Sequence, residues 1–318
     1  MEKPPIDAAI TRTSDQGLSP ELAYAGVPSY MRRRYTKDLN GVDLAFTGIP
    51  FEQTMNRPGT RYGPRGVREQ TAAIIWGAPY RWDFSPFEEI SVVDYGDCGF
   101  DHGRMIDAPM LIEQHIREIL ATDTAVLSVG GDHFITYPIL KAHFAKFGPI
   151  SLVHFDAHSD TWEDPDPTRI DHGTMFYHAI QDGLIVPEYS AQIGIRTFND
   201  KTHGMNIFDA DAVHDRGPDR IADQVKELVG DRPVYLTFDI DALDPAFAPG
   251  TGTPVTGGLS THQAHRLLRR LAGINVVGMD VVEVSPPFDH GNITAVAGAE
   301  IAQDLVCLWA YKHRQGKA

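Results

Sequence analysis

The chain has little cysteine, too little basic charge to balance its acids, and no long apolar run, and each shortage excludes a class of protein. Two cysteines in 318 residues, Cys98 and Cys307, provide neither a disulfide framework nor paired zinc-ligand spacing. Twenty-eight Lys and Arg stand against 43 Asp and Glu, for a net charge of −15 and a pI near 5.3. That leaves no basic footprint for a nucleic acid. No uninterrupted apolar stretch approaches the ~18 residues of a membrane span, and the opening MEKPPIDAAITRT holds no apolar segment of signal-peptide length. The expectation is a reduced, cytoplasmic protein with no nucleic-acid or membrane partner. What is present is 42% hydrophobic residues, enough for a sizeable core in one large domain or two ordinary ones. The acid surplus suits a cationic ligand.

From Val42 onward, short β-branched runs alternate with amphipathic stretches. Eight strands are expected, over 42–49, 90–94, 125–129, 150–155, 191–195, 205–208, 234–239 and 274–282. Several are near-continuous apolar runs, as parallel strands covered on both faces are. Helices are expected over 108–121, from Thr136, after Pro218-Asp219, from an N-cap at Ser260 to before Gly273, and over 299–313. Strands alternating with crossover helices give a three-layer α/β fold with a mainly parallel sheet, and no linker divides it. One domain over 1–318 is therefore expected, residues 1–40 forming an irregular arm. The basic run Met31–Tyr35 in that arm is expected to be a solvated face. In such sheets ligands bind beyond the carboxyl ends of the strands.

Three of those ends carry metal-ligand chemistry. The run 125–129 leads into Gly130-Gly-Asp-His133, 150–155 into Asp156-Ala-His158-Ser-Asp160, and 234–238 into Asp239-Ile-Asp241. If the chain stays extended there, alternate side chains share a face, so Asp156, His158 and Asp160 converge, as do Asp239 and Asp241. Four carboxylates in one crevice repel one another unless a cation separates them. Mixed histidine and carboxylate donors suit manganese, with other divalent ions as substitutes. Two such ions about 3.5–4 Å apart would activate a bridging water, and the protein would be a hydrolase.

These motifs resemble those of the ureohydrolase (arginase–agmatinase) family. The likeness extends through Arg61-Tyr-Gly-Pro64, Asp171-His-Gly-Thr-Met-Phe-Tyr177, Gln192-Ile-Gly-Ile-Arg196, Leu243–Pro254 and Gly278–Pro286, and its agmatinase branch is the nearest in motif. The resemblance implies a single arginase-like domain with an eight-stranded sheet, two Mn2+ per subunit, and hydrolysis of a guanidino compound to urea and an amine. It implies one ion held by His133, Asp156, Asp160 and Asp239, and a second by Asp156, His158, Asp239 and Asp241. Glu283 would bind the guanidinium, Asp160 would carry a proton, and His172 would shuttle protons or touch substrate. It further implies a homotrimer or homohexamer.

Trp162 stands where arginases carry a substrate-binding Asn, which turns the reading from arginine toward agmatine. The acidic stretch Glu163–Asp166 would favour a cationic tail over that of a guanidino acid such as 4-guanidinobutyrate or 3-guanidinopropionate. A non-catalytic metal-binding homologue is the remaining alternative. Other residues read as structural. His154 is a hydrogen-bonded core residue, Asp132 a loop support, Asp280 a buried partner of a basic residue, and Asp244 a turn former. Arg61 and Arg68 are ion-pair partners of the Gly59–Gly66 loop. His143, His178, His262, His265 and His313 fall on helix surfaces, and Trp76, Trp82 and Trp309 in core or interface. The Arg266–Arg270 cluster is either solvated or an interface piece.

Overall fold

The apolar runs become the strands β1 Arg34–Tyr35, β2 Leu44–Ile49, β3 Val92–Asp97, β4 Ala125–Gly130, β5 Ser151–Phe155, β6 Ala191–Ile193, β7 Asn206–Phe208, β8 Val234–Asp239 and β9 Val276–Val282. They belong to a computed structural model that describes residues 7–18, 22–53, 56–74, 78–101, 103–166 and 168–316. All nine join one sheet in the order β1-β3-β2-β4-β9-β8-β5-β6-β7, and every pairing is parallel.

Eight strands were expected. The ninth, β1, lies in the segment read as an irregular arm, where Arg34 and Tyr35 pair with Val93 and Asp94. The basic run around it is not a solvated face, since Met31, Arg32 and Arg33 are buried. Arg33 lies 4.1 Å over the Phe87 ring and donates to the Met31 and Gly17 carbonyls. A guanidinium stacked on an aromatic ring and donating to carbonyl oxygens can be interior.

Alternate residues of each strand enter opposite layers. Leu44 and Phe46 belong to the core layer that also holds residues of the helices Gly63–Thr71, Pro218–Val229, Thr261–Arg270 and Ile293–Gly316. Ala45 and Ile49 pack with Ala108–Leu120, Thr136–Phe147 and Met175–Gln181. Ser260 caps its helix as expected, in a reciprocal box with Gln263. The last helix starts at Ile293, earlier than the expected Ala299. It is long and apolar enough to cross a membrane, but 83% of its apolar window is buried within the protein, as for a core helix.

Two histidines expected on helix surfaces are interior. His143 is fully buried between Tyr235 and Gly278, and a Cβ at 278 would come within 2.1 Å of its Nε2. His178 is buried too. His262 is exposed as expected, while His265 and His313 are half-buried, His265 against Asp304 at 2.7 Å. Trp82 and Trp309 are buried; Trp76 lies outside the described residues. Arg266 and Arg270 spend their charge on Asp219 and Asp223 at the surface.

Candidate metal centre

The sheet order places β4, β9, β8 and β5 side by side, so four consecutive carboxyl ends meet over one crevice. His133 follows β4, Glu283 follows β9, Asp239 ends β8, and Asp156 follows β5. The approach of His133 depends on Gly131. Its amide reaches the Ile49 carbonyl, and a Cβ there would meet the Phe51 carbonyl oxygen at 2.1 Å.

The ligand motifs converge by bending rather than by strand extension. An extended chain advances about 3.3 Å per residue, which would spread Asp156 and Asp160 along roughly 13 Å. Instead β5 stops at Phe155, and Asp160 turns back with a left-handed φ of 52°. Asp241 likewise lies in the short turn Ile240–Ala242, its amide donating to Asp239 Oδ1 at 2.8 Å.

The side chains form two groups that share Asp156. His133 Nδ1 faces Asp156 Oδ2 at 3.1 Å, Asp160 Oδ2 at 3.1 Å and Asp239 Oδ2 at 3.2 Å. His158 Nδ1 faces Asp156 Oδ1 at 3.2 Å and Asp241 Oδ2 at 3.1 Å. All six are buried except His158, which is partly open.

His133 Nε2 lies 2.9 Å from the Thr237 hydroxyl, while the buried Nδ1 has no hydrogen-bond partner. A lone pair aimed at three carboxylate oxygens is repulsive unless a cation lies among them. Burial first, then the neighbouring carboxylates, pushes both Asp239 and Asp241 above the usual carboxylate range. The donor set and its orphaned nitrogen fit a pair of divalent cations.

The residues proposed to act on substrate lie beside these groups. Glu283 has a left-handed φ of 63°, fixed by its amide on the Gly131 carbonyl at 2.9 Å, while its Oε1 accepts the His133 amide at 2.8 Å. Burial, then the Asp132 carboxylate, raises its acid to about 8. His172 Nδ1 lies 3.2 and 3.3 Å from the two oxygens of Asp132. Burial works against the imidazolium, yet the Asp132 hydrogen bond and charge outweigh it and lift His172 to about 10. A cavity of about 170 Å³ is lined by His133, His158, Asp160, Trp162, His172, Gly173, Asp239, Thr253 and Glu283.

Several secondary expectations hold and others do not. Asp132 supports its loop, accepting from the Phe134 and Gln53 amides. Asp244 accepts from three turn amides, those of Ala246, Gly257 and Gly258. Arg61 pairs with Glu52, and Arg68 pairs with Asp94 inside β3 and with Asp97 at its end. Among the described residues Asp280 has no ion-pair partner; it accepts from the hydroxyls of Thr136, Tyr235 and Thr237. The acidic stretch does not line the cavity, because Glu163 pairs with Lys201 and Asp164 lies 3.5 Å from Arg169. Only Trp162 of that loop reaches it. Thr253 was missed. Its hydroxyl donates to Asp241 Oδ2 at 3.1 Å, and the Gly-Thr-Gly-Thr-Pro run that holds it was the available signal.

Comparison with known proteins agrees with this geometry. An agmatinase of Chromobacterium violaceum is 51% identical over 98% of this chain and 97% of its own. A crystal structure described as a hypothetical agmatinase from Burkholderia thailandensis superposes with a TM-score of 0.94 at 51% identity, covering 98% of this chain and 99% of that one. The proclavaminate amidino hydrolase of Streptomyces clavuligerus gives a TM-score of 0.86 at 38% identity, over 92% and 99% of the two chains. The model of the arginase family matches residues 42–307. With its parallel sheet, its buried histidine–aspartate cluster and these relatives, the chain belongs to the arginase family and is a ureohydrolase.

Proposed function

We propose that this protein hydrolyses agmatine to urea and putrescine, using two Mn2+ held by His133, Asp156, His158, Asp160, Asp239 and Asp241. The observation that carries the reading is the division of Asp156 between the two donor groups, Oδ2 toward His133 and Oδ1 toward His158. One carboxylate set between two donor groups suits a bridged pair. When bound, the cations supply a water ionised near neutral pH, the strong nucleophile that a guanidinium carbon requires.

The chain's own residues do the rest. Glu283 accepts guanidinium N–H groups and turns the carbon toward the cluster; the charge of the arriving guanidinium offsets the burial that otherwise favours its acid. Asp160 would take the proton given up by the attacking water onto its carboxylate and pass it to the leaving amine nitrogen. Asp132 holds His172 by Nδ1, leaving Nε2 to exchange protons at the site mouth. Trp162 and Thr253 wall the reaction chamber.

Agmatine as substrate is supported by the 51% identical agmatinase relative, not by the acidic loop, whose charges are spent elsewhere. The alternative substrate, a guanidino acid, gains no support from Arg169 in the outer cavity of about 570 Å³ that adjoins His172 and Gly173, because that guanidinium faces Asp164 at 3.5 Å. One ureohydrolase domain over 1–318, a homotrimer or homohexamer, and a cytoplasmic setting complete the proposal. The test is urea release from agmatine, arginine, 4-guanidinobutyrate and 3-guanidinopropionate, each before and after chelation. Chelator-sensitive release from agmatine alone is expected. Release from a guanidino acid alone would overturn the substrate, and no release from any would overturn the reaction.

A further inference from the structure

His154 and Gln192 are paired across the parallel strands β5 and β6, and both are fully buried. The Gln192 amide nitrogen lies 2.6 Å from the Ser159 carbonyl, which only accepts, so that atom is the NH2 and not the oxygen. Its second hydrogen meets His154 Nδ1 at 3.0 Å. Nδ1 therefore accepts, and the ring proton sits on Nε2. That nitrogen lies 2.7 Å from Asp156 Oδ2. The hydrogen-bond direction is thus set from the Ser159 carbonyl, through the amide and the ring, to one oxygen of the carboxylate shared by the two donor groups.

We propose that Gln192 and His154 are positioning residues that fix Asp156 as a bridge between two metal ions, an inference that rests on the dinuclear reading above. A carboxylate free to rotate about its last torsion can give both oxygens to one ion and release the other. Occupying Oδ2 with a donor from behind opposes that rotation and keeps Oδ1 facing His158. The same Gln192 holds Ser159, the residue between the two ligands His158 and Asp160. The pair therefore also limits the bend that brings those ligands together. Neither side chain lines the reaction chamber, so its effect reaches substrate only through Asp156 and the 156–160 loop.

The test is Mn2+ titration of the full chain, followed by metal analysis and electron paramagnetic resonance, on the wild type and on His154→Leu, His154→Gln and Gln192→Leu. The wild type is expected to bind two ions with a spin-coupled signal. His154→Leu is expected to keep one ion, bind the second about 10- to 100-fold more weakly, and show only uncoupled manganese. His154→Gln, whose terminal NH2 reaches the same oxygen, is expected to restore the coupled pair. Gln192→Leu is expected to weaken the second ion in the same direction while leaving the imidazole in place, and it decides the matter if His154→Leu does not fold. Two tightly bound, coupled ions in both leucine variants would overturn the relay and leave the ureohydrolase reading intact. A wild type that binds no ion pair would overturn the dinuclear reading itself.

Discussion

Asp94 within β3 with Asp97 at its end, and the four aspartates at or just beyond the ends of β5 and β8, are two acidic groups of one sheet, and they are balanced in different ways. At β3 the chain provides its own cation. Arg68 reaches Asp94 at 3.0 Å and also pairs with Asp97, with its guanidinium 4.3 Å over the Tyr30 ring. At the central crevice no lysine or arginine among the described residues lines the chamber. Arg196 lies near enough to feel Asp241 and Asp156 but spends its N–H groups on the Gly194, Asp241, Ala242, Leu243 and Val255 carbonyls. The donors facing the carboxylates are imidazoles, one with an orphaned nitrogen. Buried acids with a resident cation build structure; buried acids without one call for an ion from solution.

Substitutions can break that contrast. The largest effect is expected at Asp239. Replacing it with alanine removes a donor from both proposed ion sites, so turnover should fall by at least about 10³-fold. Added Mn2+ is expected to raise the melting midpoint of the wild type and to leave that of the variant unchanged. Calorimetry with and without the ion checks this, and an unaltered Mn2+-dependent rise would remove Asp239 from the ligand set. Next, His172→Ala is expected to lower turnover about 10²- to 10⁴-fold with both ions retained, since it removes proton transfer and not a ligand. Metal loss in that variant would show that His172 coordinates.

At the other acidic region, Arg68→Met should cost about 3–5 kcal/mol of stability by stranding Asp94, while the folded fraction keeps its full metal content. Denaturant unfolding beside metal analysis separates the two quantities. The smallest effect is expected at Glu163→Gln. Its carboxylate is spent on Lys201 outside the chamber, so KM for agmatine should not change. A several-fold rise would return the acidic loop to substrate binding.

The contrast between the two regions also marks how far the sequence could be read. Runs such as Ala125–Leu127 and Val234–Leu236 announce buried parallel strands because each is apolar on both faces, and the ligand motifs stand out because they cluster at the carboxyl ends of those strands. β1 is two residues long inside a basic stretch, so neither periodicity nor composition distinguishes it. His143 and His178 look like surface positions because helical spacing gives a face but not what covers it. For His143 the cover comes from Tyr235 and Gly278, on strands far along the chain. The charges of Glu163 and Asp164 are visible in sequence, but the lysine and arginine that consume them are tertiary facts. Gln192 is an ordinary strand residue until β6 is laid against β5, and only then does it touch the histidine behind the cluster.

Glu283 has a further consequence. A side-chain-bearing residue in the left-handed region is destabilised by about 1–2 kcal/mol relative to an ordinary helical geometry, a cost glycine escapes. Selection for heat resistance alone would therefore favour glycine at 283, and selection for turnover would refuse it, because the carboxylate would go with the strain. A laboratory lineage evolved for thermal survival without substrate would be free to take glycine there, giving up the proposed guanidinium-binding carboxylate and its bond to the His133 amide together with the strain.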